Sequence, residues 1–137
     1  MAVTGVVMVS TPQDVALADV IKGINMFRNP AINIPVLGLI ENMAWFTPEE
    51  LPDNRYYIFG KEGCGKLAAE YGIPFLGQIP LVQGIREGGD TGKPAVLHKN
   101  AASEAFKSVA DNLMIEIIRR NAEQKPSKKV SITEHRR

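Results

Sequence analysis

The chain has a single cysteine, Cys64, among its 137 residues. One thiol cannot close a disulfide within the chain and cannot form a CxxC pair, which fits a reducing, cytoplasmic setting. Net charge is scarce as well. Sixteen Lys and Arg stand against fifteen Asp and Glu, a formal +1, so the chain as a whole has no strong pull on nucleic acid or anionic lipid. No apolar run approaches the roughly 20 residues that a membrane helix needs. Met1-Ala2-Val3 enters an apolar stretch without a basic segment before it, so no secretory signal is expected. Repeats and low-complexity segments are lacking too. Neither nucleic acid nor membrane is therefore an expected partner.

What remains is the composition of an ordinary soluble domain, 45% hydrophobic and 23% charged, on a chain long enough for one modest core. Its charge is uneven. Residues 125–137 hold five basic side chains and one acid, a net +4, against eleven basic and fourteen acidic residues before them, a net −3. The division expected is a globular part, residues 1–124, and a basic, disordered tail, residues 125–137.

Hydrophobic periodicity orders the globular part. Ala2–Ser10, "AVTGVVMVS", is short, β-branched and nearly all apolar, as in a strand buried on both faces of a parallel sheet. The period then becomes helical through Leu17, Ile21, Ile24 and Phe27 or Arg28. Ser10 or Thr11 is placed to cap this helix, Pro12 to enter its first turn and Asp14 to favour its positive end. A second strand is expected at about Val36–Ile40, followed by a loop. Thr47–Asn54 is polar with two prolines and reads as a loop, and Arg55–Phe59 as a short β-prone run. A glycine-rich turn then leads into a short helix stopped by Gly72, and Phe75–Gln78 forms another strand. Residues 81–94 are rich in glycine and read as irregular. The longest helix is capped by Asn100, carries Phe106, Val109, Leu113 and Ile117 on one stripe, and is ended by Pro126. The order implies an α/β fold with a mostly parallel sheet and helices on both faces. Three or four strands make a thin sheet, and a buried strand at the start needs neighbours on both sides. Both point to a larger whole.

One stretch imitates a phosphate-binding loop. In "GKEGCGKL", Gly60, Gly65 and Lys66 match the spacing of G-x-x-x-x-G-K-[ST], and Lys61 adds to the likeness. A working loop also needs a Ser or Thr hydroxyl for Mg²⁺ and an acid at the end of a following strand. Leu67 offers no oxygen, and "PFLGQI" ends in Ile-Pro without an acid. The stretch is expected to be a glycine-rich turn with solvated lysines.

Five other stretches, taken in order, are more specific: Val9–Phe27 "VSTPQDVALADVIKGINMF", Val36–Phe46 "VLGLIENMAWF", Tyr57–Gly60 "YIFG", Gly72–Leu81 "GIPFLGQIPL" and Ile85–Pro94 "IREGGDTGKP". Together the set resembles the Mrp/ApbC family of P-loop ATPases, carriers of iron–sulfur clusters related to MinD and to the nitrogenase iron protein. The resemblance spans about residues 3–115. It implies a partial P-loop NTPase fold, because the family's Walker A loop and acidic metal-binding segment precede the "STPQDVALAD" region. The expectation is a C-terminal half of the ATPase domain. ATP and Mg²⁺ would be cofactors of the full-length protein, which would dimerise with nucleotide and serve apo iron–sulfur proteins. The half alone, lacking phosphate and metal contacts, is expected to be inactive as an ATPase, with no catalytic residue of its own.

The resemblance also assigns residues. Asn42 matches the family's adenine-reading Asn, an amide being able to donate and accept at once; it could equally turn the chain after a strand. Gln78–Leu81, "QIPL", matches the segment beside the base or ribose, with Ile79, Pro80 and Leu81 as its nucleotide-binding residues. Thr11, Pro12, Gln13 and Asp14 match an edge that faces nucleotide and partner subunit, a switch or dimer contact, with helix capping as the plain alternative. Arg86, Glu87 and Asp90 match a charged family segment and are also explained as a solvated loop. Two departures stand out. Between "ENM" and "FG" most members carry a CxxC, shared by two subunits around one [4Fe–4S] cluster, whereas this interval has no cysteine. A dimer with only Cys64 from each chain offers two thiolates, too few for a Cys₄ site, so no metal ligand is assigned. Val82 also replaces the acid of the family's "IPLDPxIRE", which weakens any ribose contact. Two readings outside cluster transfer are a MinD-like positioning ATPase and an interaction module without nucleotide. The first needs a hydrophobic amphipathic tail, which "EQKPSKKVSITEHRR" lacks.

Overall fold

The computed structural model describes residues 3–48, 50–51, 53–98 and 100–126. Of the expected basic tail, residues 127–137 lie outside the described residues. The elements run β1 (Val6–Ser10), α1 (Asp14–Arg28), β2 (Val36–Phe46), α2 (Gly63–Tyr71), β3 (Phe75–Leu81), α3 (Gln83–Thr91), a 3₁₀ turn (Ala95–Leu97) and α4 (Ala101–Glu123). The three strands form one parallel sheet in the order β1-β2-β3. Each crossover passes through a helix, as parallel pairing requires. All three strands therefore end on the same edge.

Both faces of the sheet are covered. On one side α1 and α2 pack Val20, Ile24, Cys64 and Leu67 against Leu39. On the other, Val109 of α4, with Phe106 and Leu113 around it, packs on Leu76 and Ile79. The strand alternation follows from this: Leu39 and its neighbour but one, Glu41, face α1 and α2, while Ile40 and Asn42 face α4. A register shift lies between Leu39 and Ile40, where Leu39 pairs with Phe75 and Ile40 with Gly77. Gly77, at φ 140, lies against Val109 there.

Several expectations are corrected. β1 is not buried on both faces: it is an edge strand of the described sheet, and Val9 is 56% exposed. Neither Ser10 nor Thr11 caps α1. Ser10 is still in the ladder opposite Glu41, so the helix starts later, with Gln13 at the N-cap and no side-chain cap. Pro12 precedes the helix instead of entering its first turn, while Asp14 does lie in that turn. β2 runs on to Phe46 where a loop was expected, because the chain folds back and Tyr56 pairs with Phe46 through two 2.8 Å backbone bonds. That single bridge is all the β structure in 55–59. Within the stretch expected to be irregular, Gln83–Thr91 is helical. Gln83–Glu87 and Arg86–Asp90 are i,i+4 pairs at 2.6 and 2.8 Å that support it, and Gly88 lets Lys93 O approach closely. At α4, Asn100 Oδ1 accepts the Ser103 amide at 2.9 Å, the capping bond expected of it. α4 ends at Glu123, three residues short of Pro126.

Candidate functional site

At the C-terminal edge of the sheet, Ser10, Glu41 and Gln78 lie side by side in register. Glu41 is completely buried. A buried carboxylate needs hydrogen bonds to each oxygen, and both are supplied. Oε2 accepts the Cys64 backbone amide at 2.9 Å, and Oε1 accepts Gln78 Nε2 at 2.7 Å. Cys64 is in the first turn of α2, so the negative charge also meets the positive end of the helix dipole. The Cys64 thiol in turn donates to Ser10 O and Thr11 O, at 3.7 and 3.6 Å. Burial, and then the charge of Glu41, push this thiol up from 9.0 to about 12.

The same contacts explain the look-alike loop. The amide at the start of α2 that a phosphate would meet is already given to Glu41. Gly60 is needed for its φ of 102, and a side chain at Gly63 would collide with Pro12 O. Leu67 is turned into the core, and Lys61 lies over the Tyr57 ring at 5.0 Å. Of the glycines in this stretch, Gly60 answers to its backbone conformation and Gly63 to packing, whereas Gly65 meets nothing nearer than Phe75 Cε1 at 3.9 Å.

The structure brings some of the sequence-derived residues together. Asn42 and Ile79 are register partners, with Pro80 and Leu81 continuing β3 beside them. Asn42 is half-buried and its Oδ1 accepts the Met43 amide at 2.9 Å, at a point where Met43 takes φ 54. The ladder breaks there, and Phe46 is the next residue of β2 in register. The Ile79 side chain belongs to the core under α4, so only its backbone can border a ligand. Thr11, Pro12, Gln13 and Asp14 follow β1 on the same edge. Pro12 is buried and, with Asp14, Lys61 and Lys66, lines a groove of about 320 Å³. Arg86, Glu87 and Asp90 are brought together on α3, where they pair with one another in solvent. Glu41 was not legible as a site residue, and Gln78 was legible only as the first residue of the segment beside the base or ribose. The available signal was an acid, and then an amide, closing an otherwise apolar strand.

The family described as "ParA: NUBPL iron-transfer P-loop NTPase" matches residues 1–114. The chain belongs to this family. It is 42% identical over 133 residues to the iron-sulfur cluster transfer protein NUBPL of Dictyostelium discoideum, covering 94% of this chain and 40% of that protein. It is 49% identical over 110 residues to the iron-sulfur cluster carrier protein of Aquifex aeolicus, covering 78% and 29%. Among solved structures, the nucleotide-binding protein of Archaeoglobus fulgidus in complex with ADP superposes with a TM-score of 0.57 at 37% identity, over 66% of this chain and 36% of that one. The chain thus spans about two fifths or less of these relatives.

A family of iron-transfer proteins raises the question of cluster ligands. Among the described residues no group of three or more His, Cys, Asp or Glu is placed to hold a metal ion. Cys64 does not fit as a ligand. A cluster takes thiolates from an accessible site, whereas this sulfur is buried, protonated and turned to backbone carbonyls. No helix among the described residues is long and apolar enough to cross a membrane.

Proposed function

We propose that this chain forms the adenine-side, C-terminal part of an ATP-binding iron–sulfur cluster carrier. The observation that carries the reading is the pairing of Asn42 with Ile79 at the C-terminal edge of a parallel sheet, in a chain that belongs to the iron-transfer family. Ligands of open α/β sheets bind beyond the carboxyl ends of the strands. Asn42 offers its amide to the adenine edge, and the backbone of Ile79–Leu81 flanks the base. Thr11–Asp14 contacts the nucleotide or a second subunit. Residues 1–124 act as one domain, and the phosphates and Mg²⁺ are held by segments of the parent protein beyond this chain. The full protein dimerises with nucleotide and serves apo iron–sulfur proteins in the cytoplasm. Any cluster is ligated through residues other than Cys64.

Titration of isotope-labelled chain with ADP tests the reading. Saturable shifts are expected at Asn42, Ile79 and Leu81, and Asn42→Ala is expected to weaken binding about tenfold, the loss of one good hydrogen bond. Equal ADP affinity of the two chains would overturn the assignment. The chain alone is expected to show no Mg²⁺-dependent ATP hydrolysis; robust turnover would mean that it holds a complete site.

A further inference from the structure

The two groups of candidate residues, Thr11–Asp14 and Asn42 with Ile79–Leu81, are separated by one fully buried ionisable side chain, Glu41. β2 loses its regular pairing with β3 directly after Asn42, and Met43 turns to positive φ. The ladder resumes only at Phe46 with Leu81, so regular pairing does not fix the strand between these two points. Glu41 braces the start of this gap with its side chain. One oxygen is bound to β3 through Gln78 and the other to α2 through the Cys64 amide. The first turn of α2 is seated on the end of β1, by the Cys64 thiol on Ser10 O and Thr11 O and by Gly63 against Pro12 O. A continuous set of contacts therefore runs from Thr11 and Pro12, through α2 and Glu41, to Gln78 and the Asn42–Ile79 pair.

We propose that Glu41 is a positioning residue: its carboxylate holds Asn42 beside Ile79 and ties the Thr11–Pro12 segment to the same edge through the first turn of α2. This rests on the reading of Asn42 as the adenine contact. Glu41 does not touch the base, because strand alternation turns it to the α1–α2 face and Asn42 to the face of α4. It acts by fixing where the strand end and the helix start lie. A shift of Thr11 or Pro12 has a packed route to Asn42 through the Glu41 side chain, alongside the backbone ladder that pairs Ser10 with Glu41.

Gln78→Glu tests this, since it sets two carboxylates against each other where a donor now reaches Glu41 at 2.7 Å. The double variant Glu41→Gln/Gln78→Glu reverses the pair and restores one donor and one acceptor. Labelled chains are compared first without nucleotide, by amide shift and hydrogen exchange, and then titrated with ADP. Gln78→Glu is expected to move the amides of Thr11, Met43 and Cys64 and to weaken ADP binding by about tenfold, with both effects largely reversed in the double variant. Unmoved Thr11 and Met43 amides, or a double variant that restores neither, would overturn the proposal. Gln78→Leu is the second variant, in case two facing carboxylates prevent folding. It removes the β3 arm alone and is expected to move Met43 while Thr11 and Cys64 hold; an unmoved Met43 counts against Glu41. If ADP leaves Asn42 unshifted in the wild-type chain, the adenine reading falls, and the nucleotide-free comparison still decides the role of Glu41.

Discussion

Glu41 Oε2 accepts the backbone amide of Cys64 at 2.9 Å, so a carboxylate from the central strand closes the start of α2. The exposed N-terminus of a helix attracts anions because its amides are unpaired and its dipole is positive. Here the protein supplies that anion itself. The loop from Gly60 to Leu67 thereby loses the part of a phosphate site that its glycine spacing imitates.

Completing the motif should consequently create nothing. Leu67→Thr produces the full G-x-x-x-x-G-K-T pattern, but at a position in the core between α2 and the sheet. The expected outcome is a loss of about 1–3 kcal/mol in chemical denaturation, from a buried hydroxyl and lost apolar volume. No Mg²⁺-dependent ATP hydrolysis is expected to appear.

The glycines of the loop should separate by packing, not by motif position. Gly63→Ala forces a Cβ onto Pro12 O and is expected to cost about 1–3 kcal/mol. Gly65 lies within α2 with Phe75 Cε1 as its nearest neighbour at 3.9 Å, so Gly65→Ala is expected to stabilise the chain by up to about 1 kcal/mol. Thermal unfolding of the two variants checks the sign of each. A phosphate cradle would predict damage at Gly65, the conserved position of such loops.

Cys64 should be silent in the native state. Its thiol is protonated and buried, so a thiol reagent at about pH 8 is expected to react only at the rate of unfolding. Stability should also depend on this proton at high pH. The folded thiol titrates at about 12 and the unfolded one at 9.0, so the contribution is complete below pH 9 and is lost as pH rises from there through 12. The full difference amounts to about 4 kcal/mol. Denaturation of wild type and Cys64→Ala across this range checks it: the fall attributable to the thiol should be missing in the variant.

Asn100 caps α4 through Ser103 N at 2.9 Å. Asn100→Ala is expected to cost about 1 kcal/mol, and Asn100→Ser much less. α4 covers Leu76 and Ile79, so faster hydrogen exchange in β3 should accompany the loss.

Much of the framework was legible because local chemistry and tertiary packing agree. The α1 stripe through Leu17, Ile21 and Ile24, the Asn100 cap and the Gly72 stop each rest on a period or a terminus that neighbouring residues decide among themselves. α3 was missed for the opposite reason. Its glycines disfavour a helix locally, and the contact that seats the helix is non-local, Ile85 packed against the core of Leu76, Ile79 and Val109. The burial of β1 was misread because β-branched composition does not reveal that a strand lies at an edge. Ser10 looked like a cap until pairing with Glu41 kept it in the ladder.

The sequence by itself determined the alternation of strand and helix, the parallel sheet and the kinship with iron-transfer ATPases, since these reside in periodicity and in ordered local motifs. Only the tertiary structure decided what the residues at the strand ends do. Glu41, Cys64 and Gln78 are 23 and 14 residues apart along the chain, and no local pattern links them. They meet because parallel strands joined by crossover helices must all end on one edge. A buried carboxylate there takes whichever donors the fold places around it.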